Sequence, residues 1–156
     1  MSTDVHGRIR ELLDGLGVEY RLVHHEPTLT SEDSARVRGE DIHIGGKALL
    51  VKTGDDFRLF VLSAARKFDS SAVKKYFGVK SVRFASRDEL KEQTGLTPGA
   101  VPPFGRPVLP FDLFVDQSIV DNERIAFNAG SLTDSIIMAV ADYLRAAQAT
   151  VMHFTK

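Results

Sequence analysis

The sequence contains no cysteine. Disulfide bridges, thiolate nucleophiles and cysteine-ligated zinc or iron–sulfur sites are therefore excluded, and any chemistry must come from oxygen, nitrogen and backbone groups. No stretch approaches the roughly twenty apolar residues that a membrane-spanning helix needs. The segment 1–20 carries acids and arginines between its leucines, unlike the apolar run of a secretory signal. We therefore expect a cytoplasmic protein.

A large net charge is also missing, because twenty basic side chains stand against twenty-one acidic ones, a formal charge of -1. This balance argues against a protein that coats nucleic acid without specificity. The charge is uneven, however: residues 66–91 contain eight Lys or Arg and three acids, whereas residues 1–35 contain three Arg and seven acids. One face could therefore meet phosphates, although for these lysines alone the solvated face of a helix is the simpler interpretation.

The length and apolar content predict one domain over residues 1–156, since 156 residues that are 43% apolar suffice for one core. Apolar spacing and capping residues predict helices over 9–16, 30–39, 69–78, 86–95 and 134–147. Strands are predicted over 18–23, 47–52, 57–62, 81–85, 112–116, 124–128 and 150–154, with the second and third forming a hairpin. This irregular order favours an α+β fold, a mixed, curved β-sheet flanked by helices.

The segment 95–105 concentrates three glycines and three prolines in eleven residues. Glycine lets the backbone approach a ligand, and proline stiffens the flanks. A rigid loop that presents backbone N–H groups is what a developing oxyanion needs. A plain surface turn explains the composition equally well.

Lys47 follows Gly45 and Gly46 at the start of a β-rich run. Its ammonium could emerge at a strand end beside open backbone, where phosphate is the natural partner. Taken alone, an exposed solubilising lysine is the simpler interpretation.

Other polar residues give weaker signals. Ser131 lacks the G-x-S-x-G spacing of a nucleophile elbow, and Ser131 or Thr133 is better interpreted as the cap of the helix that follows. Asn128 and Gly130 could shape a pocket wall. His25 could line a cleft or be a structural histidine. Since no close set of metal ligands is present, we expect no metal.

Several motifs in order resemble the YbaK/ProX superfamily of aminoacyl-tRNA deacylases, relatives of the editing domain inserted in bacterial prolyl-tRNA synthetases. They span nearly the whole chain: His25-Glu26-Pro27, Arg38-Gly39, Gly46-Lys47-Ala48-Leu49 with Lys52, the G-x-x-x-P loop at Gly99-Ala100-Val101-Pro102-Pro103, Ile125-Ala126-Phe127-Asn128-Ala129-Gly130 and Ala141-Asp142-Tyr143-Leu144-Arg145. The later motifs look most like the YeaK-type branch, which is associated with seryl- and threonyl-tRNA.

The resemblance implies a free-standing, cofactor-free editing enzyme that hydrolyses the ester of mischarged tRNA, with a synthetase as a possible partner. Lys47 would bind the phosphate of the terminal adenosine, and the amides of Gly99, Ala100 and Val101 would stabilise the oxyanion. The resemblance also implies that the water or nucleophile is activated largely by the substrate's own ribose hydroxyl or side chain, so no protein base is required. The implied substrate-binding residues are His25, Thr28, Thr30, Arg38, Ser63, Pro103, Asn128, Gly130 and Ser131.

Two other functions remain open at this point. One is a module that binds the acceptor end of tRNA, or a synthetase, without catalysis. The other is a small-molecule esterase that ignores the RNA and does not need Lys47.

Overall fold

The computed structural model describes residues 4–28 and 30–156, and within these ranges the chain forms six α-helices, one 3-10 helix and eight strands. The helices are α1 (Val5–Gly15), α2 (Ser31–Arg38), α3 (Ser70–Phe77), α4 (Arg87–Thr94), α5 (Gln117–Val120) and α6 (Val140–Ala147), and the 3-10 helix is Ile42–Ile44. The strands are β1 (Tyr20–His24), β2 (Gly46–Thr53), β3 (Asp56–Ser63), β4 (Val82–Phe84), β5 (Leu113–Asp116), β6 (Arg124–Asn128), β7 (Asp134–Ala139) and β8 (Thr150–Met152).

The predicted hairpin of β2 and β3 is confirmed and forms the centre of a five-stranded mixed sheet with the order β4-β2-β3-β5-β8. Gly46 pairs with Ser63 at one end, next to the pair Lys47 and Leu62, and Thr53 pairs with Asp56 at the other end. The two-residue loop contains Gly54 at φ +64°, a left-handed conformation that hairpin turns of this length favour. β4 pairs antiparallel with β2, whereas β5 runs parallel to β3 and β8 parallel to β5.

The remaining strands form an antiparallel sheet with the order β1-β7-β6. Here the sequence-based prediction was wrong, because residues 134–139 form the central strand β7 and only Val140–Ala147 are helical. Ile136 and Met138 point into the main core, while Ile137 packs in a small cluster on the other side of the sheet. Burial on both faces removed the alternation that marks a strand, so the apolar residues also fitted a helical stripe.

The two sheets share the main core, to which the five-stranded sheet contributes Leu59 and Val61 and the three-stranded sheet contributes Ile125 and Phe127. A second core, on the other face of the five-stranded sheet, is largely aromatic. Its centre is Phe60, which stacks on Phe114 with ring centroids 5.3 Å apart. The α+β class is therefore confirmed, with the strands divided between two sheets.

Local capping signals were predicted correctly. Thr30 accepts a hydrogen bond from the Asp33 amide at the start of α2, and α2 ends at Gly39 with φ +70°. Ser86 and Glu89 form the predicted capping box of α4. Among the described residues, no helix is long and apolar enough to cross a bilayer.

Candidate active site

A cleft of about 410 Å³ lies between α2, the start of β2 and the loop 95–105. Lys47 and Gly99, which the sequence analysis placed at one site, both line it. The lining residues in the described part of the chain are Thr28, Thr30, Ser31, Ser34, Ala35, Arg38, Ile42, Gly45, Gly46, Lys47, Ala48, Leu49, Ala64, Pro98, Gly99, Val101 and Asn128. The glycine-rich loop and the lysine are therefore walls of one cavity.

Lys47 is the second residue of β2, and its side chain is exposed. Just before it, Gly45 forms an isolated parallel bridge with Ala126 of β6, so the start of β2 lies against the other sheet. Among the described residues, no carboxylate lies within ion-pair distance of the Lys47 ammonium. The cation is therefore available to an anionic ligand.

The loop around Gly99 is held by two hydrogen bonds. Gly99 has φ +89°, a conformation that side chains strain to adopt. The Ala100 amide donates to the Thr97 carbonyl at 3.1 Å, and the Asn128 side chain donates to the Gly99 carbonyl at 2.7 Å. Among residues 4–28 and 30–156, the N–H groups of Gly99 and Val101 have no hydrogen-bond acceptor.

One face of α2 forms a polar wall of the cleft. Thr30, Ser34 and Arg38 follow one another at intervals of four residues, which places them on one side of a helix. Ser34 and Arg38 are buried although both are polar. The Ser34 hydroxyl lies 2.8 Å from that of Thr28, which is buried as well.

Arg38 is buried without a carboxylate partner among the described residues and is only 8% exposed. Its Nη2 donates to Asn128 Oδ1 at 3.0 Å, and its Nε donates to Ser135 Oγ at 2.9 Å. Burial lowers the pKa of Arg38 to about 10, because desolvation disfavours the charged form. The guanidinium is still protonated at neutral pH.

The described lining contains two cations, Lys47 and Arg38, and neither acid nor histidine. Unopposed cations beside free backbone N–H groups produce a positive potential in a partly closed space. The cleft is therefore suited to phosphate, to a developing oxyanion, or to both.

The structure brings seven of the thirteen predicted site residues to the cleft: Lys47, Gly99, Val101, Thr28, Thr30, Arg38 and Asn128. The other six predicted residues are absent from the described lining of the cleft.

Three of these six have polar groups that are already bonded elsewhere. The amide of Ala100 is used in its own turn. The Ser63 hydroxyl donates to the His43 carbonyl at 2.6 Å, and the Pro103 carbonyl accepts from the Tyr143 hydroxyl at 2.7 Å.

The remaining three lie behind or beside the cleft. His25 contacts Ser135 Oγ through Nε2 at 2.8 Å and donates through Nδ1 to the carbonyl of Glu26 at 2.7 Å. Gly130 packs against α1, since a Cβ there would fall 2.9 Å from Val5 Cγ1. Ser131 caps a tight turn by accepting from the Thr133 amide at 3.0 Å. The predicted helix cap at Ser131 or Thr133 was wrong, because the strand β7 follows both residues.

Sequence reasoning missed Ser34 in the wall and Ser135 behind it. The polar repeat Thr30, Ser34, Arg38 is a helix-face pattern that could have identified Ser34. Ser135 had no such signal, because it reaches Arg38 only through the pairing of β7 with β6. Within the described residues, no group of three or more His, Asp or Glu is placed to hold a metal ion.

Comparison with known proteins identifies the family. A sequence model described as the aminoacyl-tRNA editing domain matches residues 25–146. The chain belongs to this family. The match includes every residue of the cleft, and it confirms the resemblance drawn from the sequence and the aminoacyl-tRNA editing function that it implied.

Individual relatives of this editing domain agree. It is 35% identical, over 97% of its length, to the multifunctional Ser/Thr-tRNA deacylase ProXp-y of Escherichia coli, of which it covers 93%. The chain is also 27% identical to the proline–tRNA ligase of Macrococcus caseolyticus. This match covers 69% of the present chain and 18% of the ligase. A crystal structure described as a proposed trans-editing enzyme for prolyl tRNA synthetase superposes on the present chain with a TM-score of 0.84 at 20% sequence identity. The superposition covers all of the present chain and 99% of the chain in the crystal structure. This last likeness bears on the fold alone.

Proposed function

We propose that this editing domain acts in trans and hydrolyses the ester bond of mischarged tRNA that carries serine or threonine. One observation carries the proposal: the Lys47 ammonium and the Gly99 loop line the same cleft, whose described lining contains no acid. The E. coli relative that shares 35% of its residues is named a Ser/Thr-tRNA deacylase.

Lys47 binds a phosphate near the 3' end of the RNA in this proposal. Its side chain is exposed at the start of a strand and has no carboxylate partner within the described chain. A compact ammonium can approach phosphate oxygens from several directions, and it fixes the ester beside the loop.

The N–H groups of Gly99 and Val101 stabilise the oxyanion. Both lack an acceptor among the described residues, whereas the Ala100 amide between them is already bonded to Thr97. The sequence-based expectation was that the amides of Gly99, Ala100 and Val101 all bind the oxyanion. We now assign this role to Gly99 and Val101 only. In other enzymes the loss of one oxyanion donor costs on the order of 3 kcal/mol of transition-state stabilisation.

The proton transfers are assigned to the substrate. Because the described cleft lining offers no carboxylate or imidazole, we assign to a ribose hydroxyl of the terminal adenosine the task of orienting the attacking water and relaying its proton to the leaving ribose oxygen. Water adds to the ester carbonyl, the carbon–oxygen bond to the ribose breaks, the ribose oxygen takes up a proton, and free amino acid leaves. Positioning and oxyanion stabilisation suffice for an ester that is already activated.

Selectivity for a hydroxylated amino acid is assigned to the buried pair Thr28 and Ser34. Their mutual bond uses one of two hydroxyl hydrogens, so one donor and several lone pairs remain for a ligand. A site built to bond a hydroxyl strongly rejects an analogue that lacks one, because its own polar groups are then left unpaired.

A synthetase is a second proposed partner, since a related segment forms part of a proline–tRNA ligase. Because the substrate is an intermediate of translation, we place the activity in the cytoplasm.

The test is a deacylation panel with Ser, Thr, Ala, Cys and Pro esters on tRNA, in which released amino acid is measured with and without a synthetase. We expect the seryl and threonyl esters to be hydrolysed fastest. The same aminoacyl groups on short alcohols are the matched substrates without RNA.

Two results would contradict the proposal. Protection of every ester against spontaneous hydrolysis would identify a binding module. Equal turnover of the short esters and the tRNA esters would identify a small-molecule esterase.

A further inference from the structure

The peptide unit between Gly99 and Ala100 is held at both of its polar groups. Its carbonyl accepts from Asn128 Nδ2 at 2.7 Å, and its N–H donates to the Thr97 carbonyl at 3.1 Å. A peptide unit is planar, so fixing both groups fixes its orientation. The two N–H groups without an acceptor among the described residues, those of Gly99 and Val101, flank this unit on either side.

The Asn128 side chain is itself held in one orientation. Its Oδ1 accepts from Arg38 Nη2 at 3.0 Å and from the Ser135 hydroxyl at 3.1 Å. Since a guanidinium can only donate hydrogen bonds, the amide oxygen must face Arg38, and the amide nitrogen must face Gly99. The chemistry of the neighbours therefore decides which way Asn128 donates.

Burial makes this arrangement rigid. Ser135 is fully buried, and Asn128 is 9% exposed. Arg38 Nε also donates to Ser135 Oγ, and His25 Nε2 lies 2.8 Å from the same oxygen. A bonded network in a desolvated place resists rearrangement, because any broken bond leaves an unpaired polar group.

We propose that Asn128 is a positioning residue that orients the amides of the Gly99 loop, with Arg38 and Ser135 holding it in place. Its role is to orient the oxyanion donors, whereas the family resemblance implied only that it is a substrate-binding residue of the pocket wall. This inference rests on the proposed deacylase function. Misplacement of such donors by about 1 Å can cost about 100-fold in rate.

The main test compares Asn128→Asp with Asn128→Ala. The aspartate retains an acceptor for Arg38, so the variant should fold, but it cannot donate to Gly99. We expect kcat on seryl-tRNA to fall about 100-fold in both variants, with KM within about threefold of the wild-type value. Asn122→Asp is the matched control, because Asn122 also donates to backbone carbonyls, those of His43 and Ser118, outside the cleft. It should keep the wild-type kcat.

A second measurement needs no substrate. Amide hydrogen exchange of Ala100 should accelerate in both Asn128 variants, because the peptide unit loses one of its two fixed ends. It should not change in Asn122→Asp.

These readouts separate the possible failures. A raised KM with unchanged kcat and unchanged exchange would make Asn128 a substrate contact and overturn the inference. Loss of kcat in the aspartate variant alone would point to charge repulsion and would also overturn it. If wild-type protein released no amino acid, the proposed function would fail, but the exchange experiment would still decide whether Asn128 orients the loop.

Discussion

Gly46 lies directly against the side chain of Ile125. A Cβ on Gly46 would fall 2.6 Å from Ile125 Cδ1 and 2.8 Å from Cγ1, which is closer than side chains can approach. Ile125 is fully buried in the core shared by the two sheets and has little room to move. The residue before Lys47 is therefore a glycine for packing reasons, and the contact sets where β2 begins relative to β6.

The first prediction concerns this contact. Gly46→Ala should lower the free energy of unfolding by about 1–3 kcal/mol, since overpacking a buried site displaces its neighbours. It should also reduce deacylation, because Lys47 shifts with the strand. Gly15→Ala is the control, because a Cβ at Gly15 would meet no described atom within 4 Å apart from its chain neighbours and the backbone of its own helix. Chemical denaturation and turnover should be measured together, and a Gly46→Ala protein with wild-type stability would rule out the steric argument.

The parts of the fold that were predicted from the sequence are those encoded by neighbouring residues. Ser86 and Glu89 form their capping box within one helical turn. The β2–β3 hairpin is predicted by two neighbouring β-rich segments and the short turn that joins them. Residues 134–139 could not be assigned in this way. Their strand is defined by its pairing with β1 and β6. Because both faces of the strand are buried, its sequence lacks the alternation of apolar and polar residues that would have predicted it.

The same distinction applies to the site. Local sequence made Lys47 and the Gly99 loop candidates only, with plainer interpretations open, and the family resemblance assigned both to one site. The bond between Asn128 and Gly99 joins residues 29 positions apart, and Arg38 reaches Ser135 across 97 positions. No local pattern encodes such contacts, so Ser135 and the hydrogen bonds that join it to Arg38 and Asn128 could be found only from the folded structure.

A second prediction concerns the ammonium of Lys47. Lys47→Ala should lower kcat/KM on mischarged tRNA by about 100-fold or more, since truncating one partner of a desolvated charge pair costs on the order of 3 kcal/mol. The melting temperature should not change, because the side chain is exposed. Lys156→Ala, an exposed lysine outside both the described cleft lining and the segment 66–91, is the control. Unchanged turnover of Lys47→Ala would refute the phosphate assignment.

A third prediction concerns how the cleft recognises the amino acid attached to the tRNA. The double variant Thr28→Val/Ser34→Ala removes the buried hydroxyl pair with little change in shape. We expect the ratio of kcat/KM for seryl-tRNA to that for alanyl-tRNA to fall by about 100-fold. Ser131→Ala removes a hydroxyl outside the cleft and should leave the ratio unchanged. If the ratio survives in the double variant, another part of the cleft selects the substrate.

A fourth prediction concerns stability in acid. Burial acts to raise the pKa of Asp116, but hydrogen bonds from Ser118, Phe154 and Thr155 outweigh it, and the pKa is lowered overall. A folded-state pKa below the unfolded value, about 3.9, adds stability that is present above that value. This stability is lost as the pH falls through the folded-state pKa.

Asp116→Asn should therefore lower the free energy of unfolding at pH 7 by on the order of 2 kcal/mol and flatten its decline below about pH 4. Urea denaturation between pH 3 and pH 7 measures both effects. Asp55→Asn, in the exposed β2–β3 turn, serves as the control. An acid profile that is the same in Asp116→Asn and wild type would show that other carboxylates set the acid limit.

A fifth prediction concerns the body of the tRNA and the basic segment 66–91. The segment includes α3 and β4 and exposes two aromatic side chains, Tyr76 (57% exposed) and Phe84 (55% exposed). Phe84 pairs with Val51 of β2, four residues along the strand from Lys47, or about 13 Å. An RNA strand that leaves the cleft along β2 would therefore meet the Phe84 ring, which is suited to base stacking, and the lysines of the same basic segment are suited to phosphates.

Lys74→Gln/Lys75→Gln should raise KM for mischarged tRNA several-fold at low salt and leave kcat unchanged. The slope of log KM against log salt concentration should become shallower by about 1 to 2, since each lost phosphate contact removes about 0.7 to 0.9. Arg10→Gln/Lys156→Gln changes the net charge equally on other elements and should retain the wild-type slope. If both double variants shift the slope equally, only the overall charge matters, and the lysines of α3 are simply a solvated helix face.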